Sequence, residues 1–150
     1  MTLKEKINED LKAAMKSGDK LKLETIRSIK ALILEFEKSG AAKELTPDEE
    51  LKMLTTAAKK RKDSIEQFRN AGREELAKKE ERELEILSEY LPKQLTEEEI
   101  INEVKRIAGE IGASSKADFP KLMPEAMKQL KGKADGKSVR SIVENLLDDN

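Results

Sequence analysis

Apolar residues recur along this chain at three- and four-residue intervals, and no useful stretch alternates with the period of two that marks a strand. Thr2 and Glu5 form a capping-box pattern, followed by Leu3, Ile7, Leu11 and Ala14-Met15 on one stripe. Gly18 stops this first helix and Asp19 caps a second, which carries Leu23, Ile26, Ile29, Ile33 and Phe36. So short a joint predicts an antiparallel hairpin or a sharp bend. Residues 39–46 read as a loop. Thr46-Pro47-Asp48-Glu49 then opens a third helix with Leu51, Leu54, Ala58, Ile65 and Phe68, interrupted at Arg61 and ended near Gly72. A fourth helix, about 73–90, places Leu76, Leu84, Leu87 and Leu91 on its inner face and is stitched by Glu74–Lys78 and Glu75–Lys79.

Pro92 ends that helix, and Thr96 with Glu99 forms a second capping box. The pattern therefore predicts a boundary between Pro92 and Leu95, with one domain over 1–92 and another over 96–150. Three shorter helices follow. The first carries Ile100-Ile101, Val104, Ile107-Ala108 and Ile111 and stops at Gly112. The second, from about Asp118 to Leu130, turns Leu122-Met123, Met127 and Leu130 inward, with Pro124 expected to bend it. The third starts at a capping Asp135 and carries Val139, Ile142-Val143 and Leu146-Leu147. The fold class is all-α and multihelical, a four-helix N-terminal domain followed by a smaller three-helix domain.

Composition narrows the chemistry. Charged residues make up 41% of the 150 residues and apolar ones 37%, yet the net charge is only −1. Mixed charge with a helical apolar period indicates long solvated helices instead of disorder. With no His and no Cys, the usual nucleophile–base pairs and nitrogen or sulfur metal ligands are missing, so no catalytic residue, metal or cofactor is expected. The absence of cysteine fits a reducing compartment, and the charged opening has no signal-peptide core; a cytoplasmic protein is expected. No run of about 18 apolar residues is present, so no membrane segment is expected. A mixed-charge surface favours a monomer.

Two basic clusters are candidates for binding anions. Between Lys116 and Arg140 there are seven basic and three acidic side chains, a local excess of four against the chain's −1. Lys128, Lys131, Lys133, Lys137 and Arg140 lie at the joint of the last two helices, where free helix-start amides beside lysines could hold phosphate. A solvated loop whose lysines complement a helix end is the competing reading. The second cluster is Lys59, Lys62 and Arg69, which could share a side with acids of the neighbouring helix in a surface ion-pair lattice. Arg61, inside the apolar stripe, calls for a partner in Glu66 or an acid of the fourth helix. Tyr90, the only tyrosine, is expected to pack at the joint between the domains. Of the four aromatic residues, Phe36, Phe68, Phe119 and Tyr90, three fall on apolar stripes or helix joints, so any RNA would be read by shape and phosphates and not by base stacking.

The block from Ser64-Ile65-Glu66-Gln67-Phe68 through Ala71-Gly72-Arg73 to Tyr90-Leu91-Pro92, the Gly112-Ala-Ser-Ser115 turn and the Lys131-Gly-Lys-Ala-Asp-Gly-Lys137 loop together resemble the YqeY family. These small proteins are related to the C-terminal portion of GatB, the tRNA-handling subunit of the Asp/Glu-tRNA amidotransferase. The resemblance covers essentially the whole chain. It implies a helical domain followed by a three-helix domain and a role in holding tRNA, with Lys131, Lys133, Lys137 and Arg140 on phosphates. It also carries a label of carbon–nitrogen ligase with glutamine as amido-N-donor. The GatB cradle and the amidase subunit have no counterpart in so short a chain, so a stand-alone enzyme is not expected. Gly136 stands where GatB tails often have Pro. The expectation is a tRNA-handling accessory module; a protein-interaction adaptor is the alternative.

Overall fold

A computed structural model describes residues 1–40 and 45–148. The expected 39–46 loop therefore lies partly outside the described residues. Seven α-helices and one 3₁₀ turn make up the structure, with no strand among the described residues. The helices are α1 (Leu3–Ser17), α2 (Lys20–Lys38), α3 (Pro47–Asn70), α4 (Glu74–Ser88), α5 (Glu97–Ile111), α6 (Phe119–Gln129) and α7 (Gly136–Asp148), with the 3₁₀ turn at Lys116–Asp118. The chain divides into two compact units, Met1–Pro92 and Lys93 onward.

Local chemistry sets the helix ends. In the first capping box the Glu5 amide donates to Thr2 Oγ1 and the Thr2 amide to Glu5 Oε2, both at 3.2 Å. The same reciprocal pair joins Thr96 and Glu99, and Thr46 caps α3 ahead of Pro47. Gly72 takes φ 72° at the α3–α4 turn, a left-handed conformation that costs a Cβ-bearing residue about 1 kcal/mol or more.

In the N-terminal unit α1 and α2 form an antiparallel hairpin, tied at its open end by Lys4 Nζ and Glu37 Oε1 at 2.6 Å. Helix α4 packs on both α3 and α2. Ile7, Ile26, Ile29, Ile33 and Leu87 are the large, almost wholly buried side chains of this core. Three expected core positions are corrected. Leu76 is 39% exposed, and Ala77 is buried in its place. From Ala77 the stripe continues to Leu84, Leu87 and Leu91 at helical spacing. Met15 and Met127 also face outward, at 58% and 41% exposure, at the edges of stripes that Ala14 and Ala126 centre.

Tyr90 sits within the N-terminal unit. Its hydroxyl donates to Asp10 Oδ2 on α1 at 2.5 Å, and Lys6 Nζ lies 5.2 Å from its ring centroid. Burial first, and then the Asp10 hydrogen bond, push the phenol well above its ordinary value.

The second unit wraps α5, α6 and α7 around Val104, Ile107, Leu122, Val139 and Val143. Residues ahead of α5 join it, because the Leu95 amide donates to the Lys133 carbonyl at 2.9 Å. Helix α6 continues through Pro124, which forgoes one backbone hydrogen bond. At the start of α7 the Asp135 carbonyl accepts from Val139 at 3.0 Å. The expected side-chain cap from Asp135 is not formed among the described residues.

Candidate nucleic-acid interface

The joint between α6 and α7 is a tight, braced turn. Leu130 is buried at its start, and its carbonyl accepts from the amides of Lys133 at 2.9 Å and Ala134 at 3.2 Å. Gly132 takes φ 77°, the left-handed region open to glycine at little cost. From outside the turn, Gln94 Nε2 donates to the Gly132 carbonyl at 2.6 Å, and the Leu95 amide holds the Lys133 carbonyl. Arg106 on α5 donates to Gln129 Oε1 at 2.9 Å, fixing the last residue of α6. Residues 94–95 thus pin the turn from a segment some forty positions earlier, a role that the sequence pattern did not signal.

On this turn Lys131 and Lys133 are exposed, flanked by exposed Lys128 on α6 and exposed Lys137 on α7. The α6–α7 joint therefore gathers four of the five candidate side chains in one short stretch, and none of the four forms an ion pair among the described residues. Arg140 lies one turn further on and is engaged: its Nε donates to Glu144 Oε1 at 3.0 Å, and its guanidinium carbon lies 6.0 Å from the Phe119 ring centroid. Lys116, counted in the same basic stretch, pairs with Asp148 at 3.3 Å. Asp118 Oδ2 accepts from the amides of Ser114 at 2.8 Å and Ser115 at 3.1 Å, and these bonds hold its carboxyl below the usual range. That acid organises its own turn.

The other cluster is dispersed. Arg69 bonds to Glu74 at 3.5 Å and to Glu81, both of α4, so its charge is spent on the α3–α4 pair. Lys59 and Lys62 are exposed on α3. Arg61 finds its partner on α4: Nε lies 3.8 Å from Glu83 Oε2, and Nη2 donates to Ser28 Oγ on α2 at 3.0 Å. Burial first, and then neighbouring Glu80, raise the Glu83 carboxyl above its ordinary value, while Arg61 opposes the shift.

A bracing role for Gln94 is directly testable. Gln94→Ala is expected to destabilise the C-terminal unit by about 1 kcal/mol, the net worth of one hydrogen bond. Amide hydrogen exchange at Lys133 and Ala134 should accelerate, with the rest of the unit little changed. Unchanged protection at these amides would show that Leu95 alone holds the turn.

Two compact helical units, the second displaying lysines on a braced interhelical turn, define a small all-helical protein with a candidate polyanion-binding surface. No group of three or more His, Cys, Asp or Glu residues able to hold a metal occurs among the described residues. The chain belongs to the YqeY family: the family model described as Yqey-like protein matches residues 4–147. It is similar to "Altered inheritance of mitochondria protein 41, mitochondrial" of Pyrenophora tritici-repentis, at 37% identity over 131 residues, covering 86% of this chain and 71% of the relative. A protein of the same name from Lachancea thermotolerans is 35% identical over 85 residues, 57% of this chain and 46% of its own length. An uncharacterized protein of Schizosaccharomyces pombe is 38% identical over 88 residues, 57% of this chain and 69% of its own length.

These relatives correct the expectation of a cytoplasmic protein, since several are named as mitochondrial. A chain without cysteine suits any compartment where disulfides are not needed and does not separate one from another.

Proposed function

We propose that this YqeY-family chain is a tRNA-handling accessory module whose contact surface is the turn between α6 and α7. The observation that carries the reading is the exposure of Lys131 and Lys133 on a turn pinned by Gln94 and Leu95, with Lys128 and Lys137 on either side. A braced turn presents its charges at fixed spacing, which lowers the ordering cost of meeting a folded phosphate backbone. The likeness of this loop to the GatB tail supports tRNA as the polyanion. Arg140 contributes only after giving up Glu144, so it is a secondary contact. The four aromatic rings leave no stacking platform in this turn, which favours recognition of shape and phosphates.

The test is titration of the full chain with bulk tRNA at two salt concentrations, beside a Lys131→Ala/Lys133→Ala/Lys137→Ala variant. With about three phosphate contacts, the logarithm of the affinity should fall with the logarithm of salt at a slope of roughly −2 to −3. The triple variant should bind about tenfold more weakly and lose most of that slope. Binding undiminished in the variant would remove this turn from the interface. Absence of binding even at low salt would overturn the tRNA reading and leave a protein-interaction adaptor as the alternative.

A further inference from the structure

The α1–α2 hairpin carries an outer face that the N-terminal core does not use. The ion pair between Lys4 and Glu37 ties the two helices at their open end and marks which residues meet along the outside of the hairpin. From Lys4, helical spacing carries the α1 stripe through Asn8 and Leu11 to Met15. From Glu37, the α2 stripe runs back through Leu34, Lys30, Arg27 and Leu23 to Lys20, at alternating intervals of three and four. None of these residues is buried. The core uses other stripes of the same helices, with Ile7 and Ala14 on α1 and Ile26, Ile29 and Ile33 on α2.

Two properties coincide on this face. The first is bare apolar surface: Met15 is 58% exposed and Leu34 38%, and Leu11 and Leu23 are only partly covered. The second is positive charge. Lys20, Arg27 and Lys30 stand on the α2 stripe, and exposed Lys12 stands beside the α1 stripe. None of these four forms an ion pair among the described residues. The one acid in either stripe is Glu37, which Lys4 neutralises. Nearby Glu5 and Asp19 serve as helix caps, and Glu9 and Glu24 fall on the flanks.

The combination selects the partner. A phosphate backbone gains from the bases and nothing from bare leucine and methionine. A bilayer containing anionic lipids gains from both, with bases among the headgroups and apolar side chains at the acyl boundary. The long stems of Arg27 and Lys30 suit this, since they lie along apolar surface and keep their charges at headgroup level. The face runs about 25 Å from Lys20 to Glu37 and is two helices wide. No helix among the described residues is long and apolar enough to cross a membrane, so the contact is one of surface docking.

We propose that the outer face of the α1–α2 hairpin docks on an anionic bilayer, with Met15 and Leu34 entering the interface and Lys12, Lys20, Arg27 and Lys30 on lipid phosphates.

The experiment is co-sedimentation of the full chain with vesicles of phosphatidylcholine alone and of phosphatidylcholine mixed with phosphatidylglycerol. Binding to the mixed vesicles should be at least about tenfold tighter and should weaken as salt rises. Arg27→Ala/Lys30→Ala should weaken it roughly twenty- to thirtyfold, about fivefold for each base removed near the charged surface. Met15→Ser/Leu34→Ser keeps every charge and should weaken it about tenfold through lost apolar burial. All four positions lie off the core, so circular dichroism should show unchanged helix content. The Lys131→Ala/Lys133→Ala/Lys137→Ala variant should bind the vesicles as wild type does. Equal binding to phosphatidylcholine alone, full affinity in the Arg27/Lys30 variant, or loss of binding in the triple lysine variant would each overturn the proposal. Full vesicle affinity in the Met15/Leu34 variant would overturn it too, and a loss of tRNA binding in the Arg27/Lys30 variant would then mark the face as a nucleic-acid contact. Failure of vesicle binding leaves the reading of the α6–α7 turn untouched, because that reading is tested with tRNA.

Discussion

Leu122→Ala is expected to unfold the C-terminal unit while the N-terminal unit stays folded. Leu122 has no exposed surface and sits at the centre of the three-helix core, among Val104 and Ile107 of α5 and Val139 and Val143 of α7. Truncating a leucine in such a place costs about 3–5 kcal/mol, through lost burial and the cavity left behind. A unit of this size buries only about 60% of its unfolded surface and has roughly 3–5 kcal/mol of stability in all. The loss is thus comparable to the whole. Circular dichroism should show the signal of α5, α6 and α7 missing at room temperature and one remaining thermal transition. The tRNA binding proposed for the α6–α7 turn should vanish with it, although every lysine is still present. Met127→Ala is the natural control: five positions along the same helix but 41% exposed, it should cost less than about 1 kcal/mol. A single cooperative transition that shifts as one would show that the two units do not unfold separately.

Replacing Tyr90 with Phe is expected to cost about 1.5–3 kcal/mol at neutral pH, because the hydroxyl donates to a carboxylate that then loses its partner. The pH dependence is the sharper signature. The phenol in the folded chain is raised above its unfolded value of about 10. A group raised in this way contributes stability that is fully present below the unfolded value and is lost as pH rises toward the folded one. Wild type should therefore lose stability above about pH 10, and Tyr90→Phe should lack this part of the alkaline decline. With one tyrosine and no tryptophan in the chain, near-ultraviolet absorbance reads this ionisation without interference. Urea unfolding at neutral and alkaline pH completes the comparison. A folded chain whose tyrosine titrates at the ordinary phenol value would refute the contact.

The candidate interface was legible in the sequence as a set of lysines, and its geometry was not. Lys128, Lys131, Lys133 and Lys137 stand out because they cluster around Gly132 and Gly136 at a helix joint. Gln94 stands out by nothing local, since its partner, the Gly132 carbonyl, is thirty-eight positions away. Arg140 reads as an equal member of the patch until the helix brings Glu144 beside it.

What the sequence by itself determined is whatever neighbouring residues can settle among themselves. Thr2 with Glu5, Thr96 with Glu99 and Pro47 after Thr46 satisfy helix-end amides within one turn, so the helix starts follow from local chemistry. The apolar period likewise fixes the all-helical class. The tertiary structure decided between side chains that the period leaves nearly equivalent, such as Leu76 and Ala77, because the turn at Gly72 sets how α4 rotates onto α3. It also decided the partners of Arg61 and Tyr90. Glu83, Ser28 and Asp10 lie twenty to eighty positions away, and only packing brings them within reach.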